Sequence, residues 1–322
     1  MTKTEELLEK TIALDVLRDQ VSEDFYQTLL VAYQRLIRRV SRILSPEFGV
    51  ELTLSERRII KKEVAEEIKL YREELTYLAE SNLEEFVGTF YGTEKSIANE
   101  VKEEDYKDKA GLFTGFLTKY HAIERGKVVQ IEALLKAHIA LLTSDLEQLI
   151  NRTGVVVEDE PVVKTYFSQA ALKNQNNLNS IALTAVAMAA AHARQMFLKA
   201  NKKYFRGYQW VSILDGKTSD YCQFRHLKVW YWDDPEKSTL PAEEYPPGHY
   251  RCRSGTASIF KGEEAVQTPT YAEWLERQPE ELQKEILGVR RFALYKAGKL
   301  DLADLHTVSG QRRTISDLKK LF

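Results

Sequence analysis

Cysteine is almost absent: two thiols in 322 residues cannot staple a secreted disulfide scaffold. Proline is scarce over the first two thirds of the chain, where only Pro46 and Pro161 occur. Nothing there forbids long helices. Long hydrophobic runs are missing too. The longest uncharged stretch, 174–193, opens with Asn174, Gln175, Asn176, Asn177 and Asn179. Its apolar part is about half the length of a membrane-crossing helix. The start, MTKTEELLEKT, is acidic and lacks the apolar core of a secretory signal. The expectation is a chain made in the cytoplasm with no membrane contact. A net charge of -2 excludes a uniformly basic protein. Catalytic signatures are also missing: there is no GxxxxGK[ST], no GxGxxG after a strand, no HExxH and no GxSxG. Asp233 and Asp234 are adjacent, so on a strand they face opposite ways and cannot form a carboxylate pair. These absences predict a protein that is not an enzyme.

What is present reads as globular, with 43% hydrophobic and 29% charged residues. Apolar residues recur at helical spacing over 21–44, as Phe25, Leu29, Tyr33, Leu36 and Val40. Ser22 fits a cap and Pro46 a stop. A second helix is expected over 55–81, and others over 84–101, 112–124, 128–150 (ending near Gly154) and 180–205. The composition then changes. Trp210, Trp230 and Trp232, both cysteines, and prolines 235, 241, 246 and 247 crowd one window. Aromatic and β-branched runs predict short strands over 208–214 and 228–232. After Thr270 the helical period returns, with further short helices over 290–297 and 316–321. The Arg312-Arg313 and Lys319-Lys320 pairs read as solvated ends. The expected fold class is mainly α with a small α+β module. A helical region spans 1–204 and would dock onto a partner. A short-stranded, Cys/His-containing module spans 205–265, and a helical tail spans 266–322.

Charge is unevenly placed. No Asp or Glu occurs from 161 to 206, while Lys164, Lys173, Arg194, Lys199, Lys202, Lys203 and Arg206 do. Such a stretch either faces acidic neighbours in its own fold or contacts a polyanion. Arg194, Lys199, Lys202, Lys203 and Arg206 are the candidates for nucleic-acid phosphates, with binding that is salt-dependent and blind to base sequence.

Four metal-ligating side chains fall in the module. Cys222 and His226 are four apart, His249 and Cys252 three apart. Thiolate and imidazole suit one tetrahedral structural zinc ion. The alternatives are small buried thiols, a satisfied imidazole at His226, or a Cys222–Cys252 disulfide. Tyr245-Pro246-Pro247-Gly248 reads as a stiff turn presenting His249.

The order WVSILDGKTSDYC at 210–222, HLKVW at 226–230 and PPGHYRCRS at 246–254 resembles the phage head-morphogenesis family, the Mu F-like minor head proteins. The stretch 270–305 also resembles the tail that follows this module in many members. The resemblance implies a portal-associated structural component of a tailed-phage head, acting in procapsid assembly and in DNA packaging or ejection. It implies residence in the virion, at the capsid interior or portal vertex. The implied partners are the portal protein, the major capsid or scaffolding protein, and double-stranded DNA through phosphates. Many members carry C-x2-C and C-x-C, where this chain has Ser219 and Ser254. Position by position, Cys222, His249 and Cys252 remain, with Asp215 or His226 as a fourth ligand, or a hydrogen-bonded cluster in place of the metal. Two other functions fit the residues: a zinc-dependent nuclease or toxin-like enzyme on the same module, and a free DNA-binding accessory factor.

Overall fold

The computed structural model describes residues 1–47, 52–107, 121–124, 127–152, 160–242, 244–307 and 310–320. Helices dominate. Helix α1 (Lys3–Leu44) starts at a capping box, in which the Thr2 hydroxyl accepts from the Glu5 N–H and the Glu5 carboxylate accepts from the Thr2 N–H. Its buried face carries Phe25, Leu29, Tyr33, Leu36, Val40 and Leu44. Ser22 is not a cap but lies mid-helix, its hydroxyl donating to the Arg18 carbonyl. Helix α2 (Leu54–Val101) opens with the same device at Thr53 and Glu56. It runs without a break through the two segments read separately from sequence. Residues 82 and 83 carry no breaker, and Asn82 is tolerated because its side chain donates to the Leu78 carbonyl. Cross-helix pairs Lys10–Glu100 and Arg39–Glu67 show α1 and α2 to be antiparallel.

The expected helix over 112–124 is not confirmed where it can be seen. His121–Glu124 is strand β1, paired antiparallel with β2 (Lys127–Gln130), and the rest of that range lies outside the described residues. Helix α3 (Ile131–Arg152) therefore starts three residues later than its apolar period suggests. Gly154 lies outside the described residues. Helix α4 (Glu160–Ala200) is twenty residues longer at its start than the range 180–205, because the Asn-rich stretch is helical. There Asn174 is fully buried, donating to Asp145 at 2.8 Å and to the Ala170 carbonyl at 3.0 Å. A window of 18 residues in α4 has a mean hydropathy of 1.3, and 67% of that window is buried. Packing against α1, α2 and α3 accounts for this apolarity.

The sheet of the module has three antiparallel strands in the order β4-β3-β5 (Val229–Tyr231, Phe205–Val211, Gly255–Phe260). Two of these follow the sequence reading; β5 was not anticipated. Gly207 lies where β4 passes closest: a Cβ there would sit 2.0 Å from the Trp230 carbonyl oxygen. One continuous core joins helices and module, with Phe197 of α4 against Phe205 and Phe205 stacked on Phe260. The first turn of α1 is tied to the same sheet. The Thr4 N–H donates to Glu263 at 2.6 Å, and the Phe260 N–H donates to the Thr4 hydroxyl at 3.3 Å. The tail has its own core of Tyr271, Leu275, Leu287, Leu300, Leu302, Leu305 and Leu318. It holds helices α6 (Tyr271–Glu276, capped by Thr270), α7 (Glu280–Lys296, interrupted at Gly288) and α8 (Ile315–Leu318). Arg312 is not a solvated end: its guanidinium pairs with Asp220 at 2.7 Å, clasping the tail to the module.

Candidate metal centre

A short helix, α5 (Asp220–Arg225), positions the first ligand. Ser219 caps it, accepting the Cys222 N–H at 3.3 Å. This places Cys222 at the third residue of the helix, buried at 2% exposure. The second and third ligands come from the turn before β5. The Pro246–Pro247 peptide is cis, and Gly248 follows it against the Tyr221 ring. A Cβ at Gly248 would lie 2.2 Å from that ring, so only glycine lets the chain pass there. His249 and Cys252 follow within one tight turn, closed by the Cys252 N–H donating to the His249 carbonyl.

Cys222, His249 and Cys252 form the one group of three or more potential metal ligands among the described residues. The sulfurs are 3.6 Å apart and unbonded, and the Cys222 sulfur is 3.1 Å from His249 Nε2. Two thiolates on one tetrahedral zinc lie about 3.8 Å apart, so the spacing already suits an ion. The imidazole is oriented for the task. Its Nδ1–H donates to the Tyr250 carbonyl at 2.7 Å, leaving the Nε2 lone pair toward the sulfurs. The Ser219 hydroxyl donates to that lone pair at 2.7 Å. The Cys252 thiol is held well below its ordinary range because the Cys222 thiol hydrogen-bonds to it, with His249 assisting. Cys222, the donor of that bond and itself buried, is pushed up. The residues thus fit a metal ion, with three protein ligands and Ser219 beside them.

The remaining nominees stand elsewhere. His226 is not in the group. Its Nδ1 accepts the Ser212 N–H at 3.0 Å and its Nε2–H donates to the Pro269 carbonyl at 3.1 Å, so both nitrogens are committed. Burial lowers its pKa and favours the neutral form. Asp215 is also committed: Arg253 grips both its oxygens at 2.7 Å and holds the carboxyl at about 2. Ser254 does approach the group from the far side, donating to the Ser212 hydroxyl, which donates to the Cys222 carbonyl.

The proposed phosphate contacts divide. Arg194 is a correction: it is buried, pairs with Glu94 of α2 and donates to the Thr256 carbonyl of β5. A single guanidinium there locks two helices to the sheet. Arg206 is likewise engaged within the fold, near Asp233 at 3.5 Å and Glu264 at 3.3 Å, and lies over the Tyr231 ring. Lys199, Lys202 and Lys203 are on the surface, Lys202 over Trp232 and Lys203 over Tyr204. Sequence reasoning missed Ser219 as a cap, although S-x-x-C before a helix is the spacing that shows it. It also missed the brace in which Tyr221 and Arg225 both bond the buried Glu244 carboxylate, for which no local signal exists.

Residues 141–257 match the family model described as Phage Mu protein F like protein. Over that span, about a third of the chain, the sequence is consistent with a Mu F-like phage head protein. The match suggests a phage head morphogenesis protein, a class of virion component. The matched span starts within α3, takes in all of α4 and stops inside β5. Packing explains why a helix belongs with the module. Thr184 of α4 accepts the Arg251 N–H at 3.0 Å, and Arg194 of α4 bonds β5. No curated protein and no solved structure gives a match.

Proposed function

We propose that this chain is a portal-associated minor head protein that acts in procapsid assembly and in DNA packaging or ejection, without catalysing a reaction. The reading rests on the Mu F-like span. It is supported most by the convergence of Cys222, His249 and Cys252 within that span, a ligand set that suits a structural ion. A zinc ion held by Cys222, His249 and Cys252 would tie α5 to the strand-entry turn as a structural cross-link. The long helices, with ion-paired outer faces, would present the surface for the portal protein and for capsid or scaffolding subunits.

The test is mass spectrometry of purified virions and procapsids, together with co-purification of the tagged chain with its cognate portal protein. Presence in particles at low copy, with portal retention, is expected. Absence from both particle types refutes the proposal. Metal-dependent cleavage of supercoiled DNA that is lost on His249→Ala in a folded protein would move the chain to the enzyme reading.

A further inference from the structure

Beside the Cys/His group lies a cleft of about 600 Å³ that a structural cross-link does not explain. Four cations line it: Arg18 of α1, Lys217 before α5, and Arg251 and Arg253 on either side of Cys252. Asp19 is the one acid among the lining residues, and its carboxylate is 76% exposed, 4.0 Å from Arg18.

The state of each cation matters more than the count. Arg253 is neutralised by its two-pronged bond to Asp215. Arg251 is not. Its Nε donates to the Ser180 hydroxyl at 2.7 Å and its Nη2 to the Asn176 carbonyl at 3.3 Å, both uncharged acceptors on α4. Those bonds aim the guanidinium without cancelling its charge. The residue itself holds a left-handed backbone, φ 55°, a conformation that is strained for a non-glycine residue. Lys217 is exposed and its amine meets no partner among the described residues. Arg18, by contrast, is buried, and donates to the Arg253 carbonyl at 3.3 Å. A concave wall with uncancelled positive charge concentrates the field on whatever anion enters. A guanidinium with free donors beside a mobile ammonium suits a multiply charged oxyanion. The volume lies within the range of small-ligand pockets, about 300–1,000 Å³, and admits a phosphate with its attached group.

We propose that this cleft is a phosphate-binding site, at a place separate from the basic stretch 199–206. The site is independent of whether the chain sits at the portal. Its ligand carries a phosphate or pyrophosphate group, supplied either by a nucleic-acid backbone or by a free nucleotide or phosphate.

The experiment uses the full chain. Inorganic pyrophosphate is titrated calorimetrically, and a short fluorescein-labelled DNA duplex is followed by anisotropy at low and moderate salt. Saturable pyrophosphate binding is expected. Lys217→Glu and Arg251→Ala should each weaken it at least about tenfold, whereas Lys202→Ala/Lys203→Ala should stay within about twofold. Thermal melts followed by circular dichroism establish that each variant is folded. Should Arg251→Ala melt early, Lys217→Glu decides, since its amine supports nothing in the fold. Pyrophosphate displacing the duplex identifies nucleic-acid phosphate as a ligand. Pyrophosphate binding with the duplex indifferent to Lys217→Glu identifies the free anion. The proposal fails if pyrophosphate does not saturate or if Lys217→Glu binds like the parent. It also fails if an oligoglutamate peptide binds more tightly than pyrophosphate, which would assign the cleft to an acidic protein partner.

Discussion

Arg194 offers the sharpest test of how the helices and the module are joined. It is 8% exposed, and Glu94, its partner from α2, is 4% exposed. Arg194→Met keeps the length and packing of the side chain but removes the charge. Glu94 then loses the Arg194 counter-ion while still buried, and the Thr256 carbonyl loses that donor. Breaking a buried pair in this one-sided way costs about 3–5 kcal/mol. The double variant Glu94→Leu/Arg194→Met removes both charges and should recover most of the loss, since an apolar pair of similar volume is often neutral. Urea unfolding of the parent, both single variants and the double variant gives the coupling directly. A positive coupling of at least about 2 kcal/mol is expected. If Arg194→Met costs under about 1 kcal/mol, the guanidinium is not a lock and the joint between α2, α4 and β5 has been misread. DNA binding by the folded single variant should not change, since the group cannot reach a phosphate from where it lies.

Purified chain supplied with zinc should retain about one ion, and Cys252→Ala should lose it and lower the melting temperature; a parent protein that keeps no zinc by elemental analysis would contradict the centre. Gly207→Ala should destabilise the module by about 2 kcal/mol or more, because the new methyl meets the Trp230 carbonyl rather than a movable side chain; an unchanged melt would contradict the close approach. The Asp215 carboxyl titrates near 2, below its ordinary 3.8, chiefly through the Arg253 bond. A lowered folded-state value means that its contribution is complete above about pH 4 and is lost as the pH falls toward 2. Asp215→Asn should remove that part of the acid dependence, as read by melts across this window.

Long helices were legible because their apolar period is unbroken. The Val64, Ile68, Tyr71, Leu75 row of α2 is visible in sequence and buried in the fold. The Asn-rich start of α4 was not legible as helix, since Asn has poor intrinsic propensity and only tertiary partners such as Asp145 make it tolerable. Strand β5 escaped notice because Gly255-Thr256-Ala257-Ser258 is polar and small. It becomes a strand by pairing with β3 and lying under α1. At the site, three of four ligands found from spacing do converge. His226 was indistinguishable from them in sequence, since nothing local reveals that Ser212 and Pro269 occupy its nitrogens.

The bonds from Thr4 to Phe260 and Glu263 have a consequence for biosynthesis. The first turn of the chain finds its seat only on a strand made some 250 residues later. During translation α1 can pair with α2 early, but its first turn must wait until the last strand leaves the ribosome. An affinity tag fused before Met1 would crowd this late-closing seam, so a tag at the opposite end is the safer choice.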